Sequence, residues 1–204
     1  MKKTMILLSL IGLTMMAIAN PPAKKADVSY VVDAKASTFK WRATKVTGEH
    51  SGVASYSKGT VTVSGNNLKG AEIIIDMNTI DATDLTGEYH DKLMSHLKSD
   101  DFFSVAKFGT ATIKVKTATP IKPNGKDANN YMIVADLTIK GITNEISFPA
   151  IVVVNAKQVI VNAELNVNRV KFDIRYGSSS FFEGLGDKAI ADEFNVKVRV
   201  VANK

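Results

Sequence analysis

Apolar and polar residues alternate along most of this chain with a period of two. Phe39, Trp41 and Ala43 alternate with Lys40, Arg42 and Thr44. Tyr30 and Val32 alternate with Val31 and Asp33, and Ile113 and Val115 with Lys114 and Lys116. Thr60-Val61-Thr62-Val63, Ile73-Ile74-Ile75, Ile146 with Phe148, Ile151 to Val154, Val159-Ile160-Val161, Leu165 with Val167, Phe172 with Ile174, and Val196, Val198 and Val200 continue the pattern. Successive strand side chains point to opposite faces, so such runs predict β-strands with one buried face. Met132, Val134, Leu137 and Ile139 fit one face only with a bulge between them. Turn residues separate the runs at Gly65-Asn66-Asn67, Pro123-Asn124-Gly125 and Lys140-Gly141. Residues 117–130 read as a long exposed hairpin loop.

One segment changes period. Within Leu85 to Ser99, Tyr89, Leu93, Met94 and Leu97 recur at helical spacing, with acids early and lysines late. This predicts one short amphipathic helix near residues 87–98, and a weaker helical turn is expected near 187–191. No long helix separates the strands, which argues against βαβ units. About eight strands in a meander with one helix predict a mainly β domain, a closed barrel or a sandwich.

The N-terminus stands apart. Lys2 and Lys3 precede an uncharged apolar run from Met5 to Ile18, and Ala17 and Ala19 flank a small-residue cleavage site. This is the layout of a secretory signal peptide. The expected organisation is a signal peptide at 1–19, a polar leader at 20–27 and one β-barrel domain at 28–204, with periplasmic or secreted localisation after cleavage near Ala19. Removing Lys2 and Lys3 from 26 basic residues against 20 acids leaves a charge of +4. Lysines are interspersed with acids, which argues against nucleic-acid binding and allows transient contact with a membrane surface. The chain has no cysteine, so disulfides, thiol chemistry and cysteine zinc sites are excluded.

Motifs for catalysis are sparse. His90 and His96 lie six residues apart on the expected helix and cannot share one ion, and His50 lacks ligand spacing. No metal or cofactor site is expected. Asp81, Asp84, Glu88 and Asp91 read as charge and capping at the helix start rather than as paired catalytic acids. Tyr176-Gly177-Ser178-Ser179-Ser180 carries a serine run with no histidine near it in sequence. The aromatic residues are either the core of a filled barrel or the wall of an apolar lumen, and composition does not separate the two.

Several blocks then resemble the YceI-like family: Ser37-x-Phe39-x-Trp41-x-Ala43-x-Lys45-x-x-Gly48-x-His50-x-Gly52, Ile75-Asp76-Met77-Asn78-Thr79-Ile80, and His96 through Phe103 followed by Lys107 to Thr112. Leu137 to Thr143, Lys171 to Ser178 and Asp192-Glu193-Phe194 resemble its later strands, and a Tyr-Pro pair common in the family is replaced by Phe108-Gly109. The resemblance implies an extended antiparallel eight-stranded lipocalin-like barrel. It implies an exported, non-enzymatic protein holding a polyisoprenoid, a prenyl quinone or a similar lipid. The expected lining is Phe39, Trp41, Ile73, Ile75, Leu93, Leu97, Phe102, Phe103, Phe108, Phe172 and Ile174. Lys45, His50, Arg169 and Arg175 are the candidates for a polar head group. Two other readings stay open: an enzyme acting on a prenyl or quinone substrate with His50 or His96 as base, and a filled barrel serving stress-related protein interaction. Oligomeric state is undetermined, a homodimer included.

Overall fold

The computed structural model describes residues 25–204. The signal peptide expected at 1–19 and most of the following leader lie outside the described residues. Nine strands form one antiparallel sheet: β1 (Asp27–Val32), β2 (Thr38–Lys45), β3 (Gly48–Ser64), β4 (Asn67–Ala82), β5 (Thr110–Pro120), β6 (Tyr131–Ile139), β7 (Ile142–Val154), β8 (Gln158–Asn168) and β9 (Ile190–Asn203). The order β3-β2-β9-β8-β7-β6-β5-β4 closes on itself because β3 also pairs with β4. The result is an eight-stranded antiparallel barrel with, among the described residues, a single short α-helix. β1 adds no ninth stave. It pairs with β3 through Thr60–Ser64 and with β9 at Ala202–Asn203, extending the stave that β2 occupies. Closure removes the open edges that an antiparallel sheet would otherwise expose.

The break between β1 and β2 is a tight bend stitched to β9. Asp33 N–H donates to the Val201 carbonyl, and the buried Ser37 Oγ accepts from Val201 N–H at 2.9 Å. The β3–β4, β5–β6 and β6–β7 hairpins turn at the expected places, while those at residues 46–47 and 155–157 carry no turn expected from sequence. Lys140 and Gly141 both have positive φ (50° and 72°), the conformation a two-residue hairpin between twisted strands requires. The long strands β3 and β4, 17 and 16 residues, carry bulges at Val53/Ser55 and Tyr56/Lys58 that coil them around the barrel.

Inward alternation holds on β2, where Phe39, Trp41 and Ala43 face in, while β6 departs from expectation. Tyr131, Ile133, Ala135, Leu137 and Ile139 are buried in strict alternation, and Met132 and Val134 face outward. No bulge lies within β6; the irregularity is on its partner β5, between Val115 and Thr117. β5 runs on to Pro120, which shortens the exposed loop to residues 121–130.

The helix α1 spans Gly87–Lys98 and covers the barrel end where β4 stops. Met94 and Leu97 are its buried residues; Tyr89 is 75% exposed, so the buried face begins one turn later than the spacing suggests. Three contacts fasten α1 to β4: Met94 Sδ accepts from Ala82 N–H, Lys98 Nζ donates to Asn78 O, and His90 Nε2 meets Asp81 Oδ1 at 2.8 Å. The second helical turn is a 3-10 turn at Gly186–Lys188, and another follows β8 at Arg169–Phe172.

Candidate lipid-binding lumen

The barrel is hollow. Its interior holds a cavity of about 160 Å³, counted as the space open to the centre of a water molecule. One water needs only ~10–15 Å³ on that scale, so this is a chamber and not a packing defect. Burial tells the same story. Phe39, Ile113, Val115, Ile146, Leu165, Phe194 and Val198 all border the lumen, yet each is only half-buried, because their inner surfaces face space.

Eight of the strands supply the wall, and small residues keep it from filling. Ala54 lies opposite Phe39, Ala111 opposite Ile75 and Ala163 opposite Val198. Trp41 is placed by a glycine: it pairs with Gly52, and a methyl group added there would fall 2.5 Å from the indole and 1.8 Å from the Asp81 carbonyl. The indole N–H donates to Val53 O at 3.2 Å, and the Tyr56 hydroxyl donates to Thr38 O. Burial pushes the Tyr56 phenol well above its ordinary value. Both polar tips are thus spent on backbone, leaving apolar faces toward the lumen.

Of the eleven lining residues expected from sequence, Phe39, Trp41, Ile73, Ile75, Leu97, Phe102 and Phe103 border the chamber. Phe102 and Phe103 pack edge to face, 5.1 Å between centroids, beneath α1. The other four lie elsewhere. Leu93 is half-buried on the helix against the core. Phe108, 36% exposed, packs beside Gly141 on the outer rim. Phe172 and Ile174 are fully buried but off the lumen, since the chain leaves β8 as a 3-10 turn against β7 and β9 and strand alternation no longer sets direction.

The head-group candidates do not converge. Lys45 is exposed at the end of β2. His50 Nδ1 meets Asp84 Oδ2 at 2.8 Å. Burial works against the Asp84 charge, but hydrogen bonds from His50 and Ser51 N–H outweigh it and hold that carboxyl below its ordinary value. Arg175 is exposed, paired with Asp173 and stacked on Phe181. Arg169 borders the lumen, 2% exposed, with its guanidinium engaged by backbone: Nε donates to Ala191 O, Nη1 to Ile174 O and Tyr176 O, and Nη2 to Ile190 O, all within 3.0 Å. Burial lowers its pKa, opposed by Asp192 at 3.6 Å. It is a structural tie across the barrel end, a role the sequence pattern did not suggest.

The acid cluster is likewise structural, though not as helix caps. Thr86 is the N-cap and makes no side-chain cap bond; Asp81 and Asp91 hold the two nitrogens of His90, and Glu88 pairs with Lys92. His96 packs edge-on against Tyr176 (4.3 Å) and Phe102 (5.6 Å). No histidine borders the chamber, and no group of three metal-ligating side chains occurs among the described residues.

Residues 30–202 match the YceI-like domain. The chain belongs to the YceI-like family. This YceI-like barrel is similar to protein YceI of Escherichia coli, 33% identical over 92 residues, which is 45% of this chain and 43% of that protein. It is also similar to a UPF0312 protein of Staphylococcus aureus, 44% identical over 54 residues, 26% of each. The chain therefore aligns with less than half the length of these relatives. Among solved structures, Burkholderia cenocepacia BcnA superposes with a TM-score of 0.66 at 20% identity, covering 84% of this chain and 99% of that one. A domain from Saccharophagus degradans described as polyisoprenoid-binding superposes at 0.59 with 17% identity, covering 85% and 97%. At these identities the structural likeness concerns the YceI-like fold.

Proposed function

We propose that this protein binds a long apolar lipid, of the polyisoprenoid or prenyl-quinone kind, in the barrel lumen, and that it acts by binding rather than catalysis. The observation that carries the reading is the hollow chamber whose wall is apolar apart from Arg169, a group already committed to backbone carbonyls. Burial is the driving force: ten methylene equivalents moved out of water contribute about 8 kcal/mol before association costs. The polyisoprenoid-binding description of the Saccharophagus domain supports the ligand class. An enzyme reading would require a proton-transferring group within reach of the ligand. The histidines it would use lie off the chamber, His50 beside Asp84 and His96 among rings.

Export fits this role, with cleavage after Ala19. Contact with a lipid surface fits it too: Val46, Tyr89, Tyr176, Phe181 and Phe182 are exposed, and all belong to the connections at the helix-bearing end of the barrel.

Trp41 is the only tryptophan and borders the lumen, so its emission reports one site. Titration with a prenyl quinone is expected to quench it saturably. Mass spectrometry of protein purified from its native host is expected to show a co-purified lipid and the loss of residues 1–19. Unchanged emission together with an empty lipid extract would sink the binding reading; a retained Met1 would sink export alone.

A further inference from the structure

The barrel ladder is interrupted at two places. Between β3 and β4 the single residue Ala54 lies opposite Met77–Ile80, and there Ala54, Met77 and Ile80 are all buried. The second break lies between β2 and β9. β2 and β9 pair at Ala43↔Phe194 and resume at Lys45↔Ile190, so the single residue Thr44 lies opposite three, Ala191, Asp192 and Glu193. On the other flank the β8–β9 ladder stops at Asn168↔Glu193, leaving Ile190–Asp192 without a β8 partner. A strand segment lacking ladder bonds on both sides must satisfy its carbonyls otherwise. Arg169 does so, donating to Ile190 O and Ala191 O while its other amino group holds Ile174 O and Tyr176 O. Asp192 completes the brace through the Ser180 hydroxyl, and Ile190 N–H donates to Gly177 O. The gap is therefore built and held, not frayed.

It also reaches the chamber. Ala43, Ile190 and Ala191 all border the lumen, and Ala191 is exposed, whereas every other bordering residue is buried or half-buried.

We propose that the lipid enters and leaves the lumen sideways, through this gap between β2 and β9 bounded by Ala43 and Ala191. The inference rests on the binding reading above and adds the route. The β3–β4 break and both barrel ends are covered by buried side chains. At the helix end, Met94, Leu97, Phe102 and Phe103 are buried, and opening it means breaking the contacts of α1 with Ala82, Asn78 and Asp81. At the far end Val63, Val159 and Ala202 are buried, and the hydroxyls of Tyr30 and Tyr131 are tied to Asn155 O and Asn67 Oδ1. Passage at Ala191 breaks none of these.

The test is kinetic. Stopped-flow quenching of Trp41 by a prenyl quinone reads association, and chase with lipid vesicles reads dissociation. Ala191→Phe, and separately Ala43→Leu from the opposite side, are expected to slow association and dissociation alike by about tenfold or more, as for a gate, where a loss of wall contacts would speed dissociation. Either variant suffices if the other does not fold. The cysteine-free chain also permits a short bis-maleimide bridge between Asp81→Cys and His90→Cys, which locks α1 to β4; exchange is expected to continue at the unbridged rate. Unaltered rates in the gap variants, or exchange stopped by the bridge, would overturn the route while leaving binding intact. If the unmodified protein shows no quenching at all, the failure lies with the binding reading.

Discussion

Replacing Arg169 by alanine should cost far more than its place at the rim of a hollow barrel suggests. The guanidinium is 2% exposed and donates to four carbonyls: Ile174, Tyr176, Ile190 and Ala191. Each carbonyl left dry costs about 1–3 kcal/mol. Two effects reduce the sum. Ala191 is exposed, so water reaches that carbonyl, and the variant escapes the desolvation of the guanidinium itself. The net expectation is a loss of about 3–5 kcal/mol, the usual cost of removing one member of a buried charged network. That is a large part of the ~5–15 kcal/mol that stabilises a domain. Arg169→Lys should recover little, because an ammonium with three donors cannot span four carbonyls fixed around a planar fork. The control is Arg175→Ala, where an exposed pair with Asp173 and a ring contact with Phe181 together predict a change of about 1 kcal/mol or less. Urea unfolding followed by far-UV circular dichroism measures both, with the midpoint falling and the slope unchanged. An Arg169→Ala variant within about 1 kcal/mol of the parent would refute the brace, and with it the physical basis of the gap beside it.

Two further outcomes follow from the geometry. Phe103→Asp, which places a charge against the chamber, should weaken lipid quenching of Trp41 by at least about tenfold, since an unpaired charge in an apolar site is costly, whereas Lys40→Asp on the outer face of β2 should not; equal effects of the two would contradict the assigned strand phase. The His90 imidazole, hydrogen-bonded by Asp91 and by Asp81, has a pKa raised above its ordinary value. Its folded pKa exceeds the unfolded one, so the stabilisation is full below about pH 6.5 and is lost as pH rises through the folded value; an NMR titration should place the His90 midpoint above the ordinary range, with Asp81→Asn moving it back down.

How far the sequence reveals this molecule depends on what each part of it obeys. Where a strand is half-buried, the period of two is enforced by the wall itself, and β2 and the Val196–Val200 stretch of β9 were legible residue by residue. α1 was legible to its ends, because a helix among strands breaks the period. β6 was misphased for a physical reason. Its outward face carries Met132 and Val134, and its inward face includes Ala135, so hydropathy favours the wrong register across four residues. Beyond the last strand residue the rule lapses altogether. Phe108, Phe172 and Ile174 are apolar and beside the barrel, yet their direction is set by turns. Arg169 shows a related limit: a charge just after a strand reads as a head-group candidate unless the carbonyls it meets are known.

The question left open by composition, whether the barrel is filled or hollow, is decided by residues that carry little hydropathic weight. Ala43, Ala54, Ala71, Ala111 and Ala163 all face the chamber, on β2, β3, β4, β5 and β8. A filled barrel of this size needs large side chains to interdigitate across its axis, alternating with small ones that receive them. Here several alanines sit beside large neighbours on the next strand, Ala54 by Phe39, Ala111 by Ile75 and Ala163 by Val198, and those large residues remain half-buried or line the void instead of plugging it. The signal was therefore present as inward alanines on five staves, readable only once the strand phases are right. The same side-chain economy marks the proposed entry: small alanines stand at 43 and 191, on the two sides of the β2–β9 register shift. Chamber and proposed entry thus rest on one property of the sequence, the placement of its smallest apolar side chains on the inner face of a closed sheet.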